Sequence, residues 1–426
     1  MKRSSLIDRH FLNNVFFNYG SQLIIISAGF IRVTLITRHA GIAVYGMVAT
    51  AVALSAMLTN LMTFRTNEAV IAFYKRGQSI GDPNLCYLSL VAGLCLDLAI
   101  GGLLCISVVA LSSFIADFIL KDIELRSGVV ILGCAMFANF LRGAPAGLMV
   151  AEERFRLINS LQIIEALLKL LILLYIVISN ISMTFDLVIV STLIPAVVVT
   201  GIMYYHPIAK LIGPLRRATI PKAQLKDYFR FTTSTFLSST LKAANLNIDT
   251  VLLSALTNPV IVGSYDILKQ FLSPLSIISG PFSSQITPRF VEAVTRKEPD
   301  IIRETIKHTN LLLTRLSILV IIVMTPAVLA YSQWNGLNFT RTHYIAFSVL
   351  ALSTITIRRM WWCRAFSVST NPKISVQSGI ISSFALPISV VIFASLVGGL
   401  IGTAIGMLIN SLVLTWFWSN KLKEAF

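Results

Sequence analysis

Long apolar segments recur along almost the entire chain, and short polar connections separate them. A helix needs about 20 predominantly apolar residues to cross the hydrocarbon core of a bilayer. We count about twelve such segments, with no connection long enough to hold a soluble domain. The predicted spans are 11–35, 43–64, 86–110, 127–150, 156–179, 183–205, 228–255, 259–287, 304–330, 342–368, 374–398 and 400–420. The pattern predicts an all-α polytopic membrane protein.

The charges are few but strongly unequal. Only 13% of the 426 residues are charged, and 35 Lys+Arg against 19 Asp+Glu give a net charge of +16. In a soluble protein this balance would indicate nucleic acid, but in so apolar a chain it indicates membrane topology, so we expect no nucleic-acid partner. Basic residues occupy the N-terminus and every second connection, roughly twenty against four on the opposite side. This asymmetry predicts that both termini are cytoplasmic.

No sequence feature indicates catalysis or a resident cofactor. The five cysteines lie in apolar segments without CxxC spacing, and the five histidines are scattered. The motifs HExxH, GxSxG and GKS/T are absent. We therefore expect no enzymatic activity, no metal and no cofactor beyond a coupling H⁺ or Na⁺. Four tryptophans near predicted cytoplasmic ends are expected to be interfacial anchors rather than a sugar-stacking platform: Trp361, Trp362, Trp416 and Trp418.

The two halves of the chain show an internal repeat. A shift of 217 residues superposes Gly41–Gly46 on Asn258–Gly263, each between two spans. The same shift aligns two polar stripes at helical spacing, Asn14, Asn18, Ser21, Ile25, Ala28 and Arg32 with Phe231, Thr235, Ser238, Lys242, Asn245 and Asp249. Six spans per half predict lobes related by an axis along the membrane normal, with a central cavity. The expected division is 1–206 (first lobe), 207–227 (cytoplasmic linker) and 228–426 (second lobe).

Four short motifs carry a resemblance to a known family. They are the run Leu35–Gly41, the pair Tyr45-Gly46, the run Arg65–Val70 and the run Asn247–Leu253. With twelve spans in two halves, the chain resembles the polysaccharide-flippase branch of the MOP superfamily, which includes Wzx-type O-antigen flippases. The resemblance implies a V-shaped pair of lobes that moves undecaprenyl-pyrophosphate-linked oligosaccharide across the bacterial inner membrane. It also implies a monomer that contacts membrane lipids and interacts with other polysaccharide-assembly proteins.

Basic residues inside the predicted spans outnumber acidic ones. A charge within the membrane is costly, so such side chains usually face a cavity or a partner. An anionic ligand in a wet cavity would account for the excess, and guanidinium groups bind pyrophosphate oxygens through paired, charge-assisted hydrogen bonds. The candidate substrate-binding residues are Arg65, Arg142, Lys242, Arg315, Arg358 and Arg359. Because Arg358 and Arg359 are adjacent, only one of them is expected to face the cavity squarely.

A second set of charged residues provides candidates for gating or for ion coupling: Arg32, Glu68, Asp97, Glu165, Lys169 and Asp249. Several structural alternatives stay open for them. Glu165 and Lys169 have the i,i+4 spacing of a helix salt bridge. Arg65 can pair with Glu68, and Arg142 with Asp97. Arg32 and Asp249 can pair with each other across the lobes or each with a local partner.

Two functions other than a flippase are also compatible with the sequence. A multidrug or cation exporter of the related multidrug branch would have acidic residues dominating its cavity, whereas here basic residues dominate. A membrane polymerase or ligase for polysaccharides would need a sizeable external loop bearing catalytic groups. The largest external stretches, around 111–126 and 331–341, are short. The sequence therefore favours the flippase.

Overall fold

The computed structural model describes residues 9–213, 222–243, 247–275, 299–363, 366–367, 370 and 372–425. Within these ranges the secondary structure is helical, without strands, as predicted. Three short helical turns, Ser112–Phe114, Ile115–Ile119 and Ile123–Leu125, precede the helix that begins at Arg126. The helices are α1 (Arg9–His39), α2 (Gly41–Met62), α3 (Thr66–Ile80), α4 (Pro83–Ala110), α5 (Arg126–Phe140), α6 (Gly143–Ala151), α7 (Phe155–Ile178), α8 (Phe185–Ile212), α9 (Lys222–Ala243), α10 (Ile248–Leu256), α11 (Pro259–Leu272), α12 (Pro299–Trp334), α13 (Arg341–Arg358), α14 (Pro372–Val397) and α15 (Gly399–Ala425).

Nine helical segments in the described ranges are long and apolar enough to cross a bilayer, which confirms the polytopic membrane fold. They are Phe17–His39, Gly41–Met62, Pro83–Ala110, Ile123–Ala151, Phe155–Ile178, Phe185–Ile212, Ile302–Trp334, Lys373–Val397 and Gly399–Glu424. The other three predicted spans are not among these nine segments. The span 228–255 is divided between α9 and α10, the span 259–287 continues past the described residues, and α13 ends at Arg358. The number twelve therefore stays a prediction.

Local sequence signals set several helix ends. Gly81, at φ 68°, ends α3 in the left-handed conformation that glycine adopts without strain. Asp82 then accepts hydrogen bonds from the backbone N–H groups of Asn84 (2.9 Å) and Leu85 (3.4 Å), and Pro83 opens α4. These three residues turn the chain from α3 directly into α4.

Residue contacts divide the chain into two compact units. The first unit comprises Met1–Leu35, Leu58–Phe118 and Asp122–Thr240, and the second comprises Ile36–Met57, Ile119–Lys121 and Leu241–Phe426. These ranges do not coincide with the predicted division at 206 and 228, because Ile36–Met57 groups with the C-terminal residues. The functional lobe boundaries stay a prediction.

In the first unit, α3, α4 and α6 pack closely around a buried apolar cluster. Val70, Leu90, Ala144 and Leu148 are fully buried in it. The sequence of α6, rich in Gly and Ala, allows this approach because small side chains let helix backbones come together. The packing places the start of α6 against the middle of α4.

In the second unit, two glycines lie where backbones meet. A Cβ on Gly46 would lie 1.8 Å from the carbonyl oxygen of Pro259, and one on Gly263 would lie 2.5 Å from that of Ile42. Only glycine fits at such a distance. Gly46 and Gly263 are also the positions that the 217-residue shift superposes, so equivalent residues of the repeat pack against each other.

The expectation for the tryptophans is wrong at three of four positions. Trp361, Trp362 and Trp418 are buried in one cluster of the second unit. The Trp361 indole N–H donates to the Asn310 side-chain oxygen at 2.9 Å, which satisfies its polar atom inside the protein. Of these four tryptophans, only Trp416, 68% exposed, is as accessible as an interfacial anchor needs to be.

Candidate functional site

A cavity of about 370 Å³, lined by both charged and apolar side chains, lies within the first unit, between α1 and α7. Residues three and four apart lie on one face of a helix, and the lining residues of both helices follow this spacing. They are Gln22, Ile25, Ala28, Gly29 and Arg32 of α1, and Gln162, Glu165, Ala166 and Lys169 of α7. The cavity therefore includes Ile25, Ala28 and Arg32 of the predicted stripe in the first span.

Glu165 is the centre of the charged cluster in this cavity. Its Oε1 lies 2.5 Å from the Lys169 Nζ, which confirms the predicted helix pair. Its Oε2 accepts a hydrogen bond from Nη1 of Arg142, a residue on the break between α5 and α6. Both carboxylate oxygens are thus occupied by cations.

Arg142 donates hydrogen bonds to three acceptors of the protein. Besides the bond to Glu165, its Nε donates to the Thr200 hydroxyl at 2.9 Å and its Nη2 to the Ala196 carbonyl at 2.8 Å. The side chain is 17% exposed. Because the guanidinium is held by three protein acceptors, Arg142 positions Glu165 and has little capacity left for a ligand. The alternative pair of Arg142 with Asp97 is not formed.

Among the described residues of this cluster, basic side chains outnumber acidic ones. Arg32, Arg142 and Lys169 carry three positive charges, and Glu165 supplies one negative charge. Arg32 and Lys169 line the cavity from facing helices, with the amides of Gln22 and Gln162 beside them. Basic side chains beside amide groups are chemically suited to an anion that carries hydrogen-bonding groups.

Asp97 lies at the same helix break but outside the cavity lining. It is 1% exposed. Its Oδ1 is 2.5 Å from the Thr66 hydroxyl, and its Oδ2 accepts the backbone N–H of Ala144 at 2.6 Å. A Cβ on Gly143 would lie 2.8 Å from both Asp97 oxygens and 2.3 Å from the Thr66 hydroxyl, so this position needs glycine.

In the second unit, Asp249 has a local partner. Its Oδ2 accepts from the Lys269 Nζ at 2.8 Å and from the Tyr265 hydroxyl at 2.5 Å. Lys269 also donates to the Thr250 hydroxyl at 3.2 Å. The prediction of a local partner for Asp249 therefore holds, and that partner is a lysine that the sequence did not single out.

The other predicted site residues lie elsewhere. Arg65 and Glu68 form the expected salt bridge at 3.3 Å, with both side chains well exposed. Arg358 is half-buried at the end of α13, whereas Arg359 and Arg315 are exposed. The side chain of Lys242 lies outside the described residues. None of these four described arginines is among the residues that line the cavity.

Sequence reasoning missed three contributors to the cluster, Gln22, Gln162 and Thr200. Gln162 continues the spacing of Glu165 and Lys169 on α7, so helical periodicity could have found it. Gln22 stands one turn before the predicted stripe position Ile25. A search for charge alone passes over both amides.

The helical fold is similar to the solved structures of several membrane transporters. An inward-facing multidrug resistance MATE family transporter superposes with a TM-score of 0.72 and 12% identity, covering 94% of this chain and 95% of that chain. The lipid II flippase MurJ, in an inward closed conformation, gives 0.70 and 14% identity over 96% of this chain and 87% of that chain. A MOP superfamily transporter from Pyrococcus furiosus gives 0.59 and 13% identity over 97% and 96%.

The family follows from the sequence itself. The profile of the polysaccharide biosynthesis protein family matches residues 11–294, more than half of the chain, and the chain belongs to that family. This confirms the resemblance to the polysaccharide branch of the superfamily. No curated protein sequence matches the chain significantly.

Proposed function

We propose that the protein is a flippase that moves an undecaprenyl-pyrophosphate-linked oligosaccharide from the cytoplasmic to the periplasmic leaflet of the bacterial inner membrane. The carrying observation is the positively charged cavity of the first unit, in a chain of the polysaccharide biosynthesis family. The head group would use polar cavities while the polyprenyl tail stays in lipid, and the two lobes would alternate access to the substrate. Both termini would be cytoplasmic.

Within the cavity, Arg32 and Lys169 are the proposed anion contacts. They approach from facing helices and, with the amides of Gln22 and Gln162, offer donors to phosphate oxygens and to sugar hydroxyls. Arg142, first considered a substrate contact, is assigned to positioning Glu165 because its donors are occupied. An inside-negative membrane potential would assist outward movement by about 2.3 kcal/mol per charge per 100 mV.

The multidrug alternative has one observation in its favour, the fold similarity to a multidrug resistance transporter. A cation exporter needs a net negative site, and the charges at this cavity are opposite. The family description, polysaccharide biosynthesis protein, does not separate a flippase from a polymerase or ligase, and we favour transport because the fold is similar to that of a lipid II flippase.

The test is a flipping assay in proteoliposomes with a fluorescent undecaprenyl-diphosphate oligosaccharide. Loss of one charge-assisted contact corresponds to about 1.5–3 kcal/mol, so Arg32→Gln and Lys169→Gln should each slow flipping about tenfold or more. Lys421→Gln is a matched control, because Lys421 also lies 2.5 Å from a glutamate, Glu424, on one helix but does not line the cavity. It should flip at the wild-type rate.

Two arms distinguish the source of the anion. One substrate carries a neutral oligosaccharide on the diphosphate, and the other carries an acidic sugar on the same diphosphate. Equal losses with both substrates assign the cavity to the diphosphate, and a loss only with the acidic sugar assigns it to the saccharide. Wild-type rates for both cavity variants with both substrates would contradict the proposed function.

A further inference from the structure

Asp97 is a buried carboxyl group at the middle of a helix that is long and apolar enough to cross a membrane. It lies fourteen residues after Pro83 in the 28-residue helix α4, about 21 Å along the helix axis. The residue is 1% exposed, and its helix is one of the nine apolar segments. An ionisable residue at such a place is costly unless it is compensated or functional.

The hydrogen bonds of Asp97 accommodate both protonation states. The backbone N–H of Ala144 can only donate, so Oδ2 stays an acceptor in either state. The Thr66 hydroxyl donates to Oδ1 when the carboxyl is ionised and can accept from an Oδ1–H when it is protonated. One proton can therefore be gained or lost without leaving a polar group unsatisfied.

No described cationic side chain forms an ion pair with Asp97. Helix α6, packed against α4, contains no ionisable side chain, and α5 contains only Arg126, at its far end, and the exposed Cys134. At the start of α3, Arg65 next to Thr66 pairs with Glu68. The other ionisable side chains of α3 pair elsewhere or lie about three turns from Thr66, and they are Tyr74, Lys75 and Arg76. From α8 and α9, Asp97 is faced by the phenols of Tyr204 and Tyr228.

Tyr228 adds a second observation. It is completely buried, and its hydroxyl has no hydrogen-bond partner among the described residues. The hydroxyl lies 3.2 Å from the place of a Cβ on Gly93, one turn before Asp97 on the same helix. An unsatisfied buried donor is costly, so it is available to a negative charge that forms nearby.

The carboxyl is linked directly to the cavity cluster. Ala144, which donates to Asp97, is two residues from Arg142, which holds Glu165 beside Lys169. Movement of the start of α6 would move Arg142, because both belong to one helix break. The backbone between Ala144 and Arg142 is therefore the route by which a change in the charge of Asp97 would act on the cavity.

We infer that Asp97 is a proton-binding site that gains and loses one proton in each transport cycle and so couples anion binding in the cavity to the proton gradient. This inference rests on the proposed function for the transport step, but the proton site itself can be measured without transport. The chemistry is a reversible protonation of one carboxylate oxygen, and no other reactant takes part.

The direct test is infrared difference spectroscopy of the purified protein, with isotope-labelled aspartate, between acidic and alkaline buffer. We expect a band of a buried protonated carboxyl in the wild type that is absent from Asp97→Asn. The amide of this variant keeps one acceptor and one donor, so it imitates the protonated state. Asp186→Asn is the control, since Asp186 is bonded to Ser127 at an exposed position; it should keep the band.

The second readout is flipping in proteoliposomes with and without an imposed pH gradient. The wild type should respond to the gradient, and Asp97→Asn should lose the response and flip about tenfold more slowly, within the range of ordinary coupling energies. Asp97→Glu, which keeps a titratable group, should keep a response. If Asp97→Asn does not fold, the labelled wild-type band and Asp97→Glu still decide the question.

The outcomes separate the two proposals. A band assigned to Asp97 with no flipping by any variant supports the proton site and removes the proposed function. Flipping that ignores the pH gradient, together with no such band, overturns the proton site and leaves the flippase in place. A gradient response that persists in Asp97→Asn also overturns the inference.

Discussion

Two buried aspartates, one in each unit, differ in how their charge is balanced. Asp249 of the second unit is 2% exposed and has a lysine amine at 2.8 Å, with a tyrosine hydroxyl at 2.5 Å. Asp97 of the first unit is 1% exposed, and its hydrogen-bond partners among the described residues are a threonine hydroxyl and a backbone N–H. A buried carboxylate next to a lysine is a fixed ion pair, whereas one without a cation can change its charge. The side chain that contacts a buried aspartate, rather than its burial, therefore decides whether its charge is fixed or can change.

The largest expected effect is at the compensated aspartate. Lys269→Ala leaves the Asp249 carboxylate buried without its cation and should lower the free energy of unfolding by about 3–5 kcal/mol. Thermal unfolding in detergent, with the wild type as reference, measures this change. The double variant Asp249→Asn/Lys269→Met removes both charges and should recover most of the loss. A stable Lys269→Ala single variant would show that the pair does not hold this aspartate.

The next effect tests the packing around the uncompensated aspartate. Gly143→Ala places a methyl group 2.8 Å from both Asp97 oxygens and 2.3 Å from the Thr66 hydroxyl. Such crowding costs about 1–3 kcal/mol and should also displace Arg142. Gly201→Ala is the control, because a Cβ there meets no atom within 4 Å. Equal stability of the two variants would mean that the start of α6 does not press on Asp97.

A smaller effect is expected for the charge of Asp97 itself. Asp97→Asn should change the free energy of unfolding by no more than about 1 kcal/mol, since both hydrogen bonds can be kept. The matching change at the compensated site, Asp249→Asn, leaves Lys269 without its counter-charge and should cost more. Thermal unfolding of both variants at one pH measures the contrast, which is absent if the two acids have the same role.

The smallest effect concerns an acid outside the membrane spans. Burial opposes ionisation of Glu152, but hydrogen bonds and positive charge from His206 and Lys210 outweigh it and hold the pKa of Glu152 below its ordinary value. A carboxyl with a lowered folded-state pKa adds stability above its unfolded pKa, and this is lost as pH falls through the folded pKa. Glu152→Gln should therefore be less stable than the wild type at neutral pH, and the difference should vanish in acid. A difference that is constant with pH would contradict this assignment.

Much of the helical fold could be predicted from the sequence, because the length of an apolar segment follows directly from the thickness of the bilayer. The same holds for the Glu165–Lys169 pair, whose spacing places both side chains on one face of a helix. The Arg142–Glu165 pair could not be found in this way. Its members are 23 residues apart, Arg142 on a helix break and Glu165 on α7, and periodicity identifies a polar face without identifying the residues that face it.

For the same reason, the roles that we infer from the structure differ from the roles predicted from the sequence. Arg142 was expected to bind substrate, but three acceptors from neighbouring helices occupy its guanidinium. Arg32 and Lys169 were expected to serve in gating or coupling, yet they line the cavity from opposite sides. The buried tryptophans show the same limit, since an aromatic residue near a predicted span end can face a neighbouring helix as readily as the membrane interface.

In the proposed function, Arg32 and Lys169 hold the anionic head group in the first unit. Equilibrium binding of undecaprenyl-diphosphate oligosaccharide to the purified protein, measured by native mass spectrometry, tests it most directly. We predict that Lys169→Gln weakens binding about tenfold or more, that Arg32→Gln does the same, and that Lys421→Gln leaves it unchanged. Wild-type affinity in both cavity variants would contradict the account.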